Sequence, residues 1–285
     1  MLQGWAGRSI LLGCSGCPVV LETLIGGQAS LFAVLIVSAV IVCWRRQKWV
    51  LAGAVLALAC YKPNVLALFG MACVLYQPRL LRGAIPVALV LTLLCLVTVG
   101  LDGVASYAAL GSQLAGGAWD IATPLWKVQS LTSWLELVAP GYAKPLAGLL
   151  GLLSVVGAVI VWRRFDCDQR RPQLLVLGLL LSINSLFNPY TPIYDLTLVV
   201  VAVLVTVQGI SELSPKLWQT PGGQGLVYTA LITLYFGPHL SQALAKLAGC
   251  QFFALGLVAI ALWQARLVWR ELSGHSPHEL AVGPN

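Results

Sequence analysis

The sequence predicts an all-α protein: a polytopic helical membrane protein with about eight to ten membrane segments. Of its 285 residues, 59% are hydrophobic and only 9% are charged, whereas about a quarter of the residues in ordinary soluble domains are charged. Apolar runs of about 16 to 20 residues recur along the chain, and each is long enough to cross roughly 30 Å of hydrocarbon as a helix. The alternating pattern of a transmembrane barrel is largely missing.

Short basic or turn-forming segments separate the predicted membrane segments. A short helix is expected before the first span, which covers residues 28–44 and ends at the basic sequence RRQK. Pro/Gly-rich or charged loops then delimit a hairpin at 49–78 and spans at 83–101, 144–162, 172–187, 193–210, 225–240 and 250–269. We therefore predict one transmembrane domain, 1–270, with an outside loop at 102–142 and a flexible polar tail at 271–285.

The net charge of +7 is explained by membrane orientation, so we expect no nucleic-acid partner. If the RRQK loop is cytoplasmic, twelve of the 17 lysines and arginines lie on that side, as the positive-inside rule requires. The five others are Arg8, Lys62, Lys127, Lys144 and Lys246.

The hairpin at 49–78 carries Lys62 and Pro63 between two apolar arms. Basic clusters at both of its ends must lie on one side, so the segment enters the membrane and returns. Each arm has a length of roughly 20 Å, which is less than the hydrocarbon core. A lysine at that depth is costly unless it is paired, and it marks a candidate site. The alternative is that Lys62 extends to the outer interface as an anchor.

We expect no cofactor and no metal. The three histidines, His239, His275 and His278, do not have the spacing of a metal site. Gly222 and Gly223 precede no lysine of a phosphate-binding loop and are typical of a turn.

Three ordered motifs resemble glycosyltransferase family 87. They are GQASLF at 27–32, WRRQKWVLAGAVLALACYKPN at 44–64 and LFNPYTPIYDLTLV at 186–199. The resemblance implies a fold like the C-superfamily of membrane glycosyltransferases and the transfer of a hexose, usually mannose, with inversion at the anomeric carbon. It implies a polyprenyl-phosphate donor at the outer face of the bacterial inner membrane, a multi-pass plasma-membrane location and membrane lipid as surroundings.

No acid of this chain matches the catalytic aspartate that the wider enzyme class carries after its first span, so the catalytic residue is unknown. Relative to the family, the chain is expected to be truncated at its N-terminus, and a partner subunit is one source of the missing helices. The alternatives to a hexosyltransferase are an inactive fragment and a lipid-binding or transporter-like membrane subunit.

The resemblance also suggests five site residues. Lys62 is expected to bind the donor phosphate, and Gln28, Tyr190, Tyr194 and Asp195 are expected to contact substrate. Each has a structural alternative as well: Asp195 could pair with Lys62 or cap its helix, the tyrosines suit a membrane interface, and Gln28 could bond to a neighbouring helix.

Overall fold

Helices make up nearly all of the chain that the structure, a computed structural model, describes. The described residues are 17–26, 28–115, 125–139, 141–164, 170–213, 221–249 and 251–274. They form eleven α-helices and no β-strand. In chain order the helices are α1 Pro18–Ile25, α2 Ser30–Arg45, α3 Trp49–Ala57, α4 Pro63–Tyr76, α5 Leu81–Ala115, α6 Leu131–Val138, α7 Ala143–Trp162, α8 Arg170–Phe187, α9 Thr197–Leu213, α10 Pro221–Ala248 and α11 Phe253–Gly274.

The membrane character predicted from the sequence is confirmed. Within the described residues, four helical segments are long and apolar enough to cross a membrane: Pro78–Ala109, Ala143–Trp162, Ile193–Leu213 and Phe253–Glu271. Helices α1 and α2 form a fifth candidate span, bent by 117° at their junction. Helices α3, α4 and α8 are apolar but shorter. The protein is therefore an all-α polytopic membrane protein.

Four aromatic rings bring several helix ends together at one end of the bundle, which we call the Trp44 end. The ring centroid of Trp44, near the end of α2, lies 5.1 Å from that of Trp49 and 5.1 Å from that of Trp162. Tyr76 stacks on Trp162 with the ring centroids 4.1 Å apart. Because Trp49 begins α3 and Tyr76 ends α4, these two helices leave the Trp44 end and return to it.

Two glycines allow the chain to close the base of this hairpin. A Cβ atom on Gly53 would lie 1.9 Å from the backbone oxygen of Leu80, and one on Gly83 would lie 1.8 Å from that of Val50. Any other residue at position 53 or 83 would bring its Cβ atom into this clash unless the backbone shifted. Helix α5 therefore starts directly against α3.

Helix α8 is the centre of the bundle and packs against α4, α7, α9 and α11. Its Asn184 is buried and bonds to the backbone of α4, where Leu66 departs from helical geometry. The Asn184 side chain accepts from the Phe69 N–H at 3.2 Å and donates to the Val65 oxygen at 2.5 Å. Backbone groups freed at an irregular point of α4 are thus satisfied by a neighbouring helix, as the membrane interior requires.

Two segments are more helical than the sequence suggested. Gly100 has a positive φ of 70° and bends α5, but the helix resumes and reaches Ala115, beyond the predicted end of that span. Helix α11 continues to Gly274, so residues 271–274 of the predicted tail are helical. The rest of that tail, 275–285, lies outside the described residues.

Candidate functional site

Lys62 lies at the tip of the hairpin, between two helices that stop short of it. The 3-10 turn Leu58–Tyr61 ends before it, Lys62 itself is non-helical with φ −148°, and Pro63 begins α4. Proline suits a first helical position because its missing N–H would have no partner there. This local geometry projects the lysine from the tip, and we call this end of the bundle the Lys62 end.

The ammonium of Lys62 is paired with the carboxylate of Asp195. Lys62 Nζ lies 3.0 Å from Asp195 Oδ1 and 2.8 Å from Oδ2. The side chain of Asp195 is only 2% exposed, whereas that of Lys62 is 23% exposed. The pair is therefore asymmetric, since its anion is buried and its cation faces the accessible side.

Asp195 is held from two further directions. It belongs to the 3-10 turn Ile193–Leu196 that leads into α9, and its backbone N–H donates to the Pro192 oxygen at 3.0 Å. The hydroxyl of Ser30, the first residue of α2, donates to its Oδ1. A buried carboxylate with a cation and a hydroxyl donor is compensated for the loss of water.

Tyrosines surround the exposed side of this pair. The Lys62 ammonium lies 5.1 Å from the centroid of the Tyr194 ring, within the range of a cation–π contact. Tyr190 lies close enough to Tyr194 for their side chains to interact. Tyr61 donates its hydroxyl to the Ala29 oxygen at 2.7 Å, which joins the hairpin tip to the start of α2.

Four of the five residues singled out in the sequence thus meet at one place, and the fifth does not join them. Lys62, Asp195, Tyr194 and Tyr190 are connected by the contacts above. The amide nitrogen of Gln28 instead bonds to the nearby Gly26 oxygen at 3.4 Å. Gln28 stays a predicted substrate contact, but none of its described bonds links it to Lys62.

The structure adds a contact that the sequence did not suggest. Glu22 on α1 and His239 on α10 approach to 3.4 Å, Oε2 to Nε2, and their side chains are 47% and 45% exposed. Glu22 also lies near enough to Tyr194 to interact with it electrostatically. In the sequence, Glu22 is the only acid upstream of Gln28, but no pattern links it to His239.

A segment of the predicted outside loop covers the turn that precedes Asp195. Val128 forms an isolated antiparallel bridge with Pro192, and the Gln129 N–H donates to the Thr191 oxygen at 2.7 Å. The amide of Gln251, before α11, donates to the Val128 oxygen. The NPYTP turn is thereby fixed between the loop and α8, which positions Tyr190 and Asp195.

The residues that the structure describes offer no metal site. No three histidine, cysteine, aspartate or glutamate side chains there are grouped so that they could hold a metal ion. The chemistry that these described residues offer comes from a lysine, carboxylates, tyrosines and a histidine.

A family model, glycosyltransferase family 87, matches residues 2–189 of the 285 residues. The match includes Glu22, Ser30 and Lys62 and ends just before Tyr190 and Asp195. No curated protein and no solved structure matches the chain.

Proposed function

Because the chain belongs to glycosyltransferase family 87, a family of membrane glycosyltransferases, we propose that it transfers a hexose from a polyprenyl-phosphate donor. Mannose is the first candidate for the sugar. We place the reaction at the outer face of the plasma membrane. The Lys62 end lies opposite the end where α2 finishes in the basic sequence RRQK, which the positive-inside rule assigns to the cytoplasmic side. The observation that carries the proposal is the partly exposed ammonium of Lys62, held against a buried carboxylate.

Lys62 suits the donor phosphate. An ammonium has three N–H donors, and Asp195 accepts two bonds from it, which leaves donor capacity on the side of Tyr194. Asp195 fixes the position of the ammonium before the donor arrives. As the bond from the sugar to the phosphate breaks, negative charge grows on the leaving phosphate, and a preorganised cation stabilises it.

Glu22 suits the role of general base. When the acceptor hydroxyl attacks the anomeric carbon, its proton passes to the Glu22 carboxylate, and the polyprenyl phosphate leaves with the electron pair of the broken bond. A base must be accessible to the acceptor, and the Glu22 side chain is half-exposed. His239 positions the carboxylate through their contact.

Replacing Glu22 tests this assignment with a matched control. We expect Glu22→Gln to lower transfer from a labelled polyprenyl-phosphate mannose by about 10² to 10⁴-fold, while donor binding stays unchanged. The control is Glu212→Gln, which removes a carboxylate at the Trp44 end, where Glu212 accepts from Arg45. It should leave transfer within about twofold.

Two results would contradict the proposal at different points. Full transfer activity of Glu22→Gln would show that Glu22 is not the general base, and it would leave the proposed donor site at Lys62 unaffected. Donor binding without transfer by the unaltered protein would favour the lipid-binding subunit over the enzyme.

A further inference from the structure

An apolar groove lies between α7, α8 and α11, away from the Lys62 tip. Its volume is about 430 Å³, within the range of about 300 to 1,000 Å³ that small-molecule sites have. Helix α8 forms its floor through side chains one turn apart on one face. These are Val176, Leu179, Ile183 and Leu186.

The groove opens sideways, between two helices that are both long enough to span a membrane. Two of its rim residues, Leu262 and Trp269, are 65% and 61% exposed. From Val258 to Trp269 it follows α11 for about 16 Å, roughly half the thickness of the hydrocarbon core. Its length and its lateral opening therefore fit one acyl chain from a single leaflet.

The groove reaches the Trp44 end, where the adjoining helix ends are basic. Val161 lines the groove and precedes Trp162, which stacks on Trp44. Four exposed arginines either follow α7 directly or lie in α11 shortly before its last turn, which contains one acid, Glu271. They are Arg163, Arg164, Arg266 and Arg270.

We propose that this groove binds an anionic phospholipid from the leaflet at the Trp44 end, with one acyl chain in the groove and its phosphate among the arginines. Basic pockets between membrane helices on the cytoplasmic side recognise anionic headgroups in this way. Arg163 uses one N–H to bond the Leu75 oxygen at 2.8 Å, so it also ties the headgroup region to the end of α4. The site is separate from the donor phosphate at Lys62, which lies at the opposite end of the bundle.

Two glycines of α7 provide a matched test. A Cβ atom at Gly157, which lines the groove, or at Gly148, which does not line it, would meet no atom within 4 Å. Leucine at 157 should therefore fill the groove without a clash, and leucine at 148 should leave it open. The full-length protein in detergent would be titrated with phosphatidylglycerol and with phosphatidylcholine of identical chains, and bound lipid counted by native mass spectrometry.

We expect the unaltered protein and Gly148→Leu to bind one phosphatidylglycerol, at least about fivefold more tightly than phosphatidylcholine. We expect Gly157→Leu to bind it at least about tenfold more weakly. Removing one cation in Arg270→Gln should reduce the preference for phosphatidylglycerol about fivefold, since an arginine at the membrane surface contributes about 1 kcal/mol.

Several outcomes would overturn the inference. Equal binding by Gly157→Leu and Gly148→Leu would show that the lipid lies elsewhere. Equal affinity for the two lipids would remove the role of the arginines. The groove would belong to the donor chain if polyprenyl phosphate displaced phosphatidylglycerol from the unaltered protein but not from Lys62→Met. It would belong to a second copy of the protein if Gly157→Leu changed the oligomeric state. Lipid counting does not depend on transfer activity, so the absence of bound phosphatidylglycerol would not contradict the proposed transfer reaction.

Discussion

The two ends of the bundle differ in the interactions that hold their side chains: aromatic stacking at the Trp44 end and a charge pair at the Lys62 end. At the Trp44 end, helices finish in stacked rings, with Tyr76 and Trp162 inclined by only 11°. The Trp44 indole N–H donates to Gln173 at 3.0 Å. At the Lys62 end, the hairpin is broken at its tip, and a buried carboxylate holds a cation that remains partly accessible.

We interpret the Trp44 end as the part of the bundle that stabilises the fold and the Lys62 end as the proposed binding site. Stacked aromatic rings gain from packing with each other and need no ligand. A buried charge costs free energy unless it is paired, and the pair at the Lys62 end leaves its cation open to one side. An arrangement that is costly and incomplete is more typical of a binding site than of a structural contact.

Lys62→Met should give the largest effect and would affect both stability and binding. Asp195 would lose its cation, and breaking a buried pair in this way costs about 3 to 5 kcal/mol. Donor affinity should fall about tenfold to a hundredfold, the range for a lost hydrogen bond to a charged group, while acceptor affinity changes little. Thermal unfolding and binding of a labelled donor measure the two effects, and an unchanged donor affinity would end the phosphate role of Lys62.

Trp162→Ala should be as costly to stability without touching donor binding. Trp162 is fully buried between Trp44 and Tyr76, and deleting a buried tryptophan side chain costs about 3 to 5 kcal/mol. In the folded fraction the donor dissociation constant should equal that of the unaltered protein. A weakened donor affinity in that fraction would mean that the two ends are coupled, contrary to our account.

Asn184→Leu should lower stability without removing a charge or an aromatic ring, because it removes the hydrogen bonds that support α4 at similar side-chain volume. The Val65 oxygen and the Phe69 N–H would lose their partner, at about 1 to 3 kcal/mol for each group. Ser182→Ala on the same helix is the control, since the buried Ser182 hydroxyl has no hydrogen-bond partner among the residues that the structure describes. Thermal unfolding should separate the two variants clearly, and equal melting temperatures would show that Asn184 does not support the hairpin.

Arg45→Gln should give the smallest effect. Arg45 Nη2 lies 2.9 Å from Glu212 Oε1, but the arginine side chain is 43% exposed. Exposed ion pairs contribute about 0 to 1 kcal/mol, so the melting temperature should barely change. A loss as large as that of Asn184→Leu would show that electrostatics, and not aromatic packing, dominates the Trp44 end.

Local patterns were enough to predict the helices and to single out Lys62 as a candidate, because a cation in a short apolar hairpin departs from an otherwise apolar composition. They offered the pairing of Lys62 with Asp195 only as one alternative beside helix capping and could not decide between them. Asp195 lies 133 residues from Lys62 in the chain, and only the folded packing shows that the two side chains meet. His239 follows a proline and belongs to no recognisable motif, so its contact with Glu22 could not be predicted. No spacing in the sequence could indicate that the Gln28 amide bonds to the Gly26 oxygen.

The most direct test of the account is donor affinity in the double variant Lys62→Gln, Asp195→Asn. The neutral pair removes both charges together, so the variant should unfold at nearly the temperature of the unaltered protein. If the ammonium holds the donor phosphate, this stable protein will bind polyprenyl-phosphate mannose about tenfold to a hundredfold more weakly. If it binds the donor as tightly as the unaltered protein does, the pair is a structural contact and the donor site lies elsewhere.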